Sequence, residues 1–242
     1  MGDRLSESAY ITVMSNNPPS PRVRILDAAL PLVAFEGWTD KMLAQAVAAT
    51  DLPDGAADLY FPEGVLDLLA FWSEQLDHRA EAVLKELDLE SMKIRERVTQ
   101  GVLARLESIA PHDEAARRAM SRLALPDSFL TGRMSGPGQL WSAADTIWRA
   151  IGDTSTDANY YSKRTILSAV IGSTLPVWLN DPDPAKIKSR EFLDARIANV
   201  MQFEKLKWEF KSKTENWPSP AAVLGAFRYG GTGSFKRRRR RG

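Results

Sequence analysis

The chain has two histidines, His78 and His112, and no cysteine. Thiolate metal sites, iron–sulfur clusters, disulfides and cysteine nucleophiles are therefore excluded. Glu74 and His78 stand at i and i+4, a spacing that could share a metal ion on one helical face. No third ligand is evident, so the same spacing also describes a solvated helix pair. A di-iron bundle site needs Glu-x-x-His pairs, and the residues three before the histidines are Gln75 and Ile109. No Walker loop, no Gly-x-Gly-x-x-Gly after a strand and no nucleophile elbow is found. The sequence implies no metal and no cofactor, and an enzyme is not expected.

The elements that would carry any other site read as helices. Ile25, Ala28, Ala29, Leu32, Val33 and Phe35 fall mostly at i, i+3, i+4 spacing and stop at Gly37. Thr39 or Asp40 can cap the next helix, which runs through Met42, Leu43, Ala46 and Val47. A turn at 52–55 leads to a short segment ending in Tyr60 and Phe61. Residues 65–89 predict one long helix, and Ile94, Val98, Val102 and Leu106 recur at four-residue steps. Pro111 and Pro126 punctuate two further helices, and 132–138 reads as a loop. Residues 139–151 and 160–180 are apolar helices, and 185–213 is a long amphipathic one. No alternating run bounded by hairpin turns occurs, so the class is all-α, a helical bundle of eight to ten helices. Its divisions are an arm at 1–21 expected to be disordered, a helix-turn-helix at 22–64, a helical domain at 65–213, and an apolar appendix with a polybasic tail at 214–242.

The first three helices have the size and spacing of a helix-turn-helix, and Arg24 to Leu30, Gly37-Trp38, Leu52 and Tyr60-Phe61 resemble the start of TetR-type regulators. DNA binding needs cations against phosphates. Residues 38–64 instead hold five acids, Asp40, Asp51, Asp54, Asp58 and Glu63, against Lys41. The motif reads as degenerate, and DNA is not an expected partner.

The aromatic and aliphatic content of 139–151 and 160–180 has two readings. The helices could form the centre of the core, or they could enclose an apolar ligand such as a lipid. On the second reading the lining is Trp141, Ile147, Trp148, Ile166, Leu167, Val170, Ile171, Leu175 and Trp178. In the last helix Leu193, Ile197, Val200, Phe203, Leu206 and Phe210 form an approximate stripe, with Trp208 as an interfacial aromatic. Its first half is expected to pack on the body or on a second subunit.

The net charge of +1 conceals an asymmetry. Seven of the 32 basic residues, and none of the 31 acids, lie from Arg228 onward. An apolar stretch with Val223, Leu224 and Phe227, followed by Arg237, Arg238 and Arg239, has the two-signal logic of peripheral membrane binding. The same tail could be no more than a solubilising end.

The segment 148–164, Trp-Arg-Ala-Ile-Gly-Asp-Thr-Ser-Thr-Asp-Ala-Asn-Tyr-Tyr-Ser-Lys-Arg, is more specific. It resembles the signature of the ninth Coq protein family, the lipid-binding accessory proteins of ubiquinone biosynthesis, at Gly152, Asp153, Ser155, Thr156, Asp157, Asn159, Tyr161 and Arg164. The likeness runs from about residue 24 to 213 and includes Ile25 to Ala29 and Leu125-Pro126. It implies a TetR-like fold turned to binding an isoprenoid quinone or phospholipid, usually as a homodimer. It also implies presentation of quinone intermediates, at a membrane surface, to the di-iron demethoxyubiquinone hydroxylase. The family's aromatic pair lies on the docking surface, which here is Tyr160 and Tyr161 beside Asn159. Tyr160 replaces the usual Trp and Ala158 the usual Phe. The residues also admit a local reading, in which Asp153 and Asp157 cap a helix starting near 158 and the tyrosines pack on helix 139–151.

The function expected is thus a non-catalytic lipid-binding accessory protein. The alternative is a TetR-type regulator answering to a hydrophobic ligand. With neither a secretory signal nor an Arg-rich transit segment at 1–21, the expected place is the cytoplasm, peripheral on the inner face of a bacterial inner membrane.

Overall fold

A computed structural model describes residues 19–214, without side chains at 201–214 and at Leu130, Arg133, Asp157 and Ala158. The arm at 1–18 and the membrane-contact candidates Val223, Leu224, Phe227, Arg237, Arg238 and Arg239 lie outside the described residues. Among the described residues the protein is all-α, with nine helices: α1 Pro21–Glu36, α2 Asp40–Ala48, α3 Ala56–Tyr60, α4 Val65–Lys85, α5 Ile94–Glu107, α6 Asp113–Leu123, α7 Gly136–Ala150, α8 Asp157–Asn180 and α9 Ile187–Thr214. The chain divides into a unit Met1–Ile197 and a unit Ala198–Gly242. The candidate site lies in the first; of the second, the structure describes helix backbone.

Helix starts follow local chemistry. Ser20 and Thr39 cap α1 and α2 through their hydroxyls, which accept from the amides of Val23 and Met42. Asp40 is thereby spared from capping. Its carboxylate accepts the Val65 amide at 2.9 Å and so holds the start of α4, 25 residues on. The long helix predicted for 65–89 ends at Lys85, and a 3-10 turn, Leu89–Ser91, intervenes. Ile94 is exposed while Val102 and Leu106 are buried, so the four-step stripe enters the core only at its second half. The loop expected at 132–138 is shorter. Ser135 caps α7 by accepting the Gly138 amide, and Pro137 occupies the first turn, where its missing N–H costs nothing.

The core is built where α4 packs on α5 and α7, and where α7 packs on α8. Gly101 lets α5 and α7 touch: a Cβ there would stand 2.4 Å from Ile147 Cγ2. The three N-terminal helices join this core through Trp38, whose ring lies 5.3 Å from that of Trp72 and whose indole donates to the Ala115 carbonyl at 3.0 Å. Arg22 is already engaged within the fold. Its guanidinium lies over Phe61 and Phe71 and pairs with Asp67 at 2.9 Å.

Candidate functional site

Two features of the first unit converge on α7. The first is a cavity of about 320 Å³, largely apolar and open on one side. Helix α4 contributes Leu69, Trp72 and Leu76, α6 contributes Ala116, Ala119 and Met120, and α7 contributes Leu140 and Ala143. Ile171, Gly172 and Leu175 of α8 close it, and Phe129 stands at its edge, more than half exposed. Small residues at 116, 119 and 143 leave the space, because each helix presents a short side chain where a larger one would fill the gap; Gly172 instead makes room for Leu140, whose Cδ1 would stand 3.0 Å from a Cβ there.

Of the nine lining candidates read from the sequence, Ile171 and Leu175 line this cavity. Ile147, Leu167, Val170 and Trp178 are buried among other helices, and Ile166, Trp141 and Trp148 are partly exposed away from it. The walls supplied by α4, α5 and α6 are not among those candidates. A signal for them exists: Asp77 interrupts the buried run Ser73, Asp77, Ala80, Leu84 of α4, and Arg105 interrupts the buried run 101–106 of α5. Each is a charge on an apolar stripe, which requires a partner. They pair at 2.5 Å, and Arg105 Nη2 donates to Ser73 Oγ at 3.0 Å. Burial nevertheless pushes the Asp77 carboxyl above its ordinary range despite Arg105.

The second feature is the junction of α7 and α8, which contains the signature. Gly152, at φ +86°, takes the left-handed position that ends α7. Its amide donates to the Arg149 carbonyl at 3.1 Å and the next amide to the Trp148 carbonyl at 2.9 Å, so the last carbonyls of the helix are satisfied. Arg164, 2% exposed, spans the junction. Its Nε meets Asp145 at 2.5 Å, its Nη1 meets Asp153 at 3.3 Å, and its guanidinium stacks 3.4 Å from the Tyr160 ring centre. Lys163 reaches Asp153 at 2.6 Å and Ser155 at 2.5 Å and lies over the Trp148 ring. Tyr160 donates its hydroxyl to Asp145 at 3.2 Å, and Arg149 pairs with the same carboxylate.

The junction corrects one expectation, that Asp153 and Asp157 cap the helix, while both tyrosines contact α7, through Asp145 and Trp141. Thr156, not an aspartate, precedes the first turn of α8, and it makes no side-chain cap. Asp157 already belongs to the helix, and Asp153 is taken up by Lys163, Arg164 and the amide and hydroxyl of Ser155 before the helix begins. Tyr160 packs against Arg164. Tyr161 does not pack away: it is 64% exposed, its ring 5.2 Å from that of Tyr160 and 6.1 Å from that of Trp141. Asn159 is exposed beside it. The docking candidates are therefore together on one surface, and Trp141 follows the cavity-lining Leu140 directly on α7.

Burial would raise Asp145 and Asp153, but the hydrogen bonds and charges of Arg164 and Arg149 on the first, and of Lys163 and Ser155 on the second, outweigh it and hold both below the usual range. A carboxylate held low in the fold stabilises it above its unfolded pKa, and that stabilisation is lost as pH falls through the lowered value. Asp77, held high, acts in the opposite sense: its ionised form costs stability, and the cost fades as pH falls. The junction is therefore expected to stay closed from pH 7 to about pH 5 and to loosen only below about pH 4. Hydrogen exchange of the 153–163 amides measures this; opening near pH 6 would contradict it.

Elsewhere the chemistry is structural. His78 and Glu74 are exposed, and among the described residues no three metal-ligating side chains cluster. A polar depression of about 370 Å³ near Arg117 and Lys186 serves the end of α8. Arg117 donates to the Leu179 carbonyl, and Lys186 to those of Trp178 and Asp181, as cations at a helix C-terminus do. No described helix is long and apolar enough to cross a membrane.

A family model described as COQ9 matches residues 134–204, which include both helices of the junction. The chain is 30% identical over 198 residues to the rat protein named ubiquinone biosynthesis protein COQ9, mitochondrial, with 79% of this chain and 62% of the relative covered. It is 30% identical over 199 residues to the human protein of the same name, covering 79% and 61%. A Dictyostelium discoideum protein, named probable ubiquinone biosynthesis protein coq9, mitochondrial, is 24% identical over 192 residues, covering 77% and 61%. The chain spans about three fifths of the length of these curated relatives. Their names also overturn the expected place on a bacterial inner membrane, pointing to the mitochondrion. That expectation rests on the composition of residues 1–21, and such a stretch does not report the compartment of the folded helices that carry the similarity.

Proposed function

The chain belongs to the COQ9 family, and from that premise we propose that it is a non-catalytic, lipid-binding accessory protein of ubiquinone biosynthesis, acting in the mitochondrion. The apolar cavity of the first unit holds an isoprenoid quinone or a phospholipid. The surface of Tyr161, Tyr160, Asn159 and Trp141 receives the demethoxyubiquinone hydroxylase, and the protein works as a homodimer at a membrane surface. The observation that carries this reading is the adjacency on α7: Leu140 lines the cavity, and the next residue, Trp141, supports the exposed Tyr161. Cargo and docking surface then share one rigid helix. The exposed acids Asp54, Asp58 and Glu63 support the reading over DNA binding, since each would repel phosphate.

Native mass spectrometry of gently purified protein tests the cargo, with an isoprenoid quinone or phospholipid expected in the complex. Protein that is lipid-free and also ignores quinone-loaded liposomes refutes it. For the docking surface, Tyr161→Ala removes an exposed ring without touching the buried network. Hydroxylase pull-down should weaken by roughly thirtyfold, the scale of one aromatic anchor, while the helical circular dichroism stays unchanged. An undiminished pull-down removes this surface from the proposal.

A further inference from the structure

Resting on the cavity reading above, we infer that Arg105 reads the head group of the cargo and that this head is a neutral oxygen acceptor, a quinone carbonyl or a phenol, rather than a phosphate.

Arg105 is the charged residue of a largely apolar lining, with its side chain 11% exposed. Among the described residues it uses Nε on Asp77 and Nη2 on Ser73, and no protein acceptor meets Nη1. A guanidinium carries five N–H groups in a fixed fork, so donors are left over at the cavity wall. The wall also contains the Ser73 hydroxyl, whose oxygen is taken by Arg105 and whose proton is free to be donated. Gln139 is already engaged through its amide N–H with the Met134 carbonyl. Arg105 and Ser73 therefore present donors together on one part of the wall, and a ligand oxygen can accept from them.

The charge balance selects among oxygens. Asp77, outside the lining, is 4% exposed and lies 2.5 Å from Arg105, so the guanidinium charge is already paired. A phosphate would bring one or two further negative charges into an apolar space with no second cation to meet them, and a buried unpaired charge is strongly disfavoured. A carbonyl or phenol oxygen accepts a charge-assisted hydrogen bond from Arg105 without disturbing that balance. The apolar remainder of the wall, formed by α6, α7 and α8, then takes the tail.

The test uses the full chain and three probes with the same ten-carbon tail: a decyl dimethoxybenzoquinone, decylbenzene and decyl phosphate. Binding is measured by calorimetry. The wild-type protein is expected to bind the quinone about tenfold more tightly than decylbenzene, and decyl phosphate no better than decylbenzene. The variant removes both charges together, Asp77→Leu with Arg105→Met, because a single change would strand the partner. It should keep its melting behaviour and its affinity for decylbenzene and lose the tenfold preference. A second variant, Arg105→Lys, retains the charge and should restore part of the preference. Equal binding of quinone and hydrocarbon by the wild type, or a preference unchanged in the double variant, overturns the role of Arg105 while leaving the cavity reading in place. Tighter binding of decyl phosphate overturns the neutral head. Failure of all three probes to bind removes the cavity reading itself and this inference with it.

Discussion

Replacing Arg164 with methionine is expected to destabilise the protein by about 3 kcal/mol, the lower end of the range for breaking a buried ion pair. In a chain of this size that lowers the melting temperature by roughly 10 °C. The reason is geometric. Arg164 is one of the largest fully buried side chains, and among the described residues it alone bridges Asp145 of α7 to Asp153 of the connecting loop. Methionine has similar length and packs acceptably, so the loss isolates the charge. The remaining cations, Arg149 on Asp145 and Lys163 on Asp153, prevent a complete stranding of the carboxylates. Arg164→Lys should recover only part of the loss, because an ammonium cannot hold two carboxylates with fixed forks or stack on Tyr160 as a guanidinium does. Arg149→Ala, by contrast, removes an exposed partner and should change stability by less than about 1 kcal/mol. Differential scanning calorimetry of the three variants measures the series. If Arg164→Met melts with the wild type, the network does not hold the junction, and the signature must be read as a contact surface alone.

Whether a signature residue holds the fold or meets a partner is not written in its neighbours. The cap at Thr39, the break at Gly37 and the long helix α4 are consequences of neighbours within a few residues, so spacing exposes them. The signature stands out for the same reason, yet its residues divide by role only in space. Tyr160 and Tyr161 are adjacent in sequence, and α8 turns one over a buried guanidinium and the other into solvent. Nothing local separates them; the position of Asp145, 15 residues earlier, does. The cavity is harder still to read. Helices 139–151 and 160–180 are conspicuous because they are rich in large apolar side chains, but a cavity is made by small ones. Ala116, Ala119 and Ala143 leave the space, whereas Ile147 and Leu167 fill their surroundings and are therefore core. Size complementarity between helices distant in sequence decides which apolar residue is lining and which is packing.

Ala119 therefore offers the most direct way to separate cargo from docking. It lies in the α6 wall of the cavity, almost fully buried. Ala119→Phe places a ring in a volume of about 320 Å³ and competes with any ligand for it. Affinity for an apolar quinone is expected to fall at least tenfold, or about 1.4 kcal/mol. Because the cavity opens on one side, the ring fills existing space, and the melting temperature should hold or rise, unlike the loss of about 1–3 kcal/mol that follows when an already full core is overpacked. The surface around Tyr161 is left as it was, so hydroxylase pull-down by lipid-free protein should match that of the wild type. The reciprocal variant, Tyr161→Ala, should bind quinone normally and fail in the pull-down. Wild-type quinone binding by Ala119→Phe, with the ring shown in place by an unchanged or raised melting temperature, would move the cargo site away from this cavity. A joint loss of both activities would mean that the two surfaces act as one through α7, since Leu140 and Trp141 would then transmit what the cavity holds.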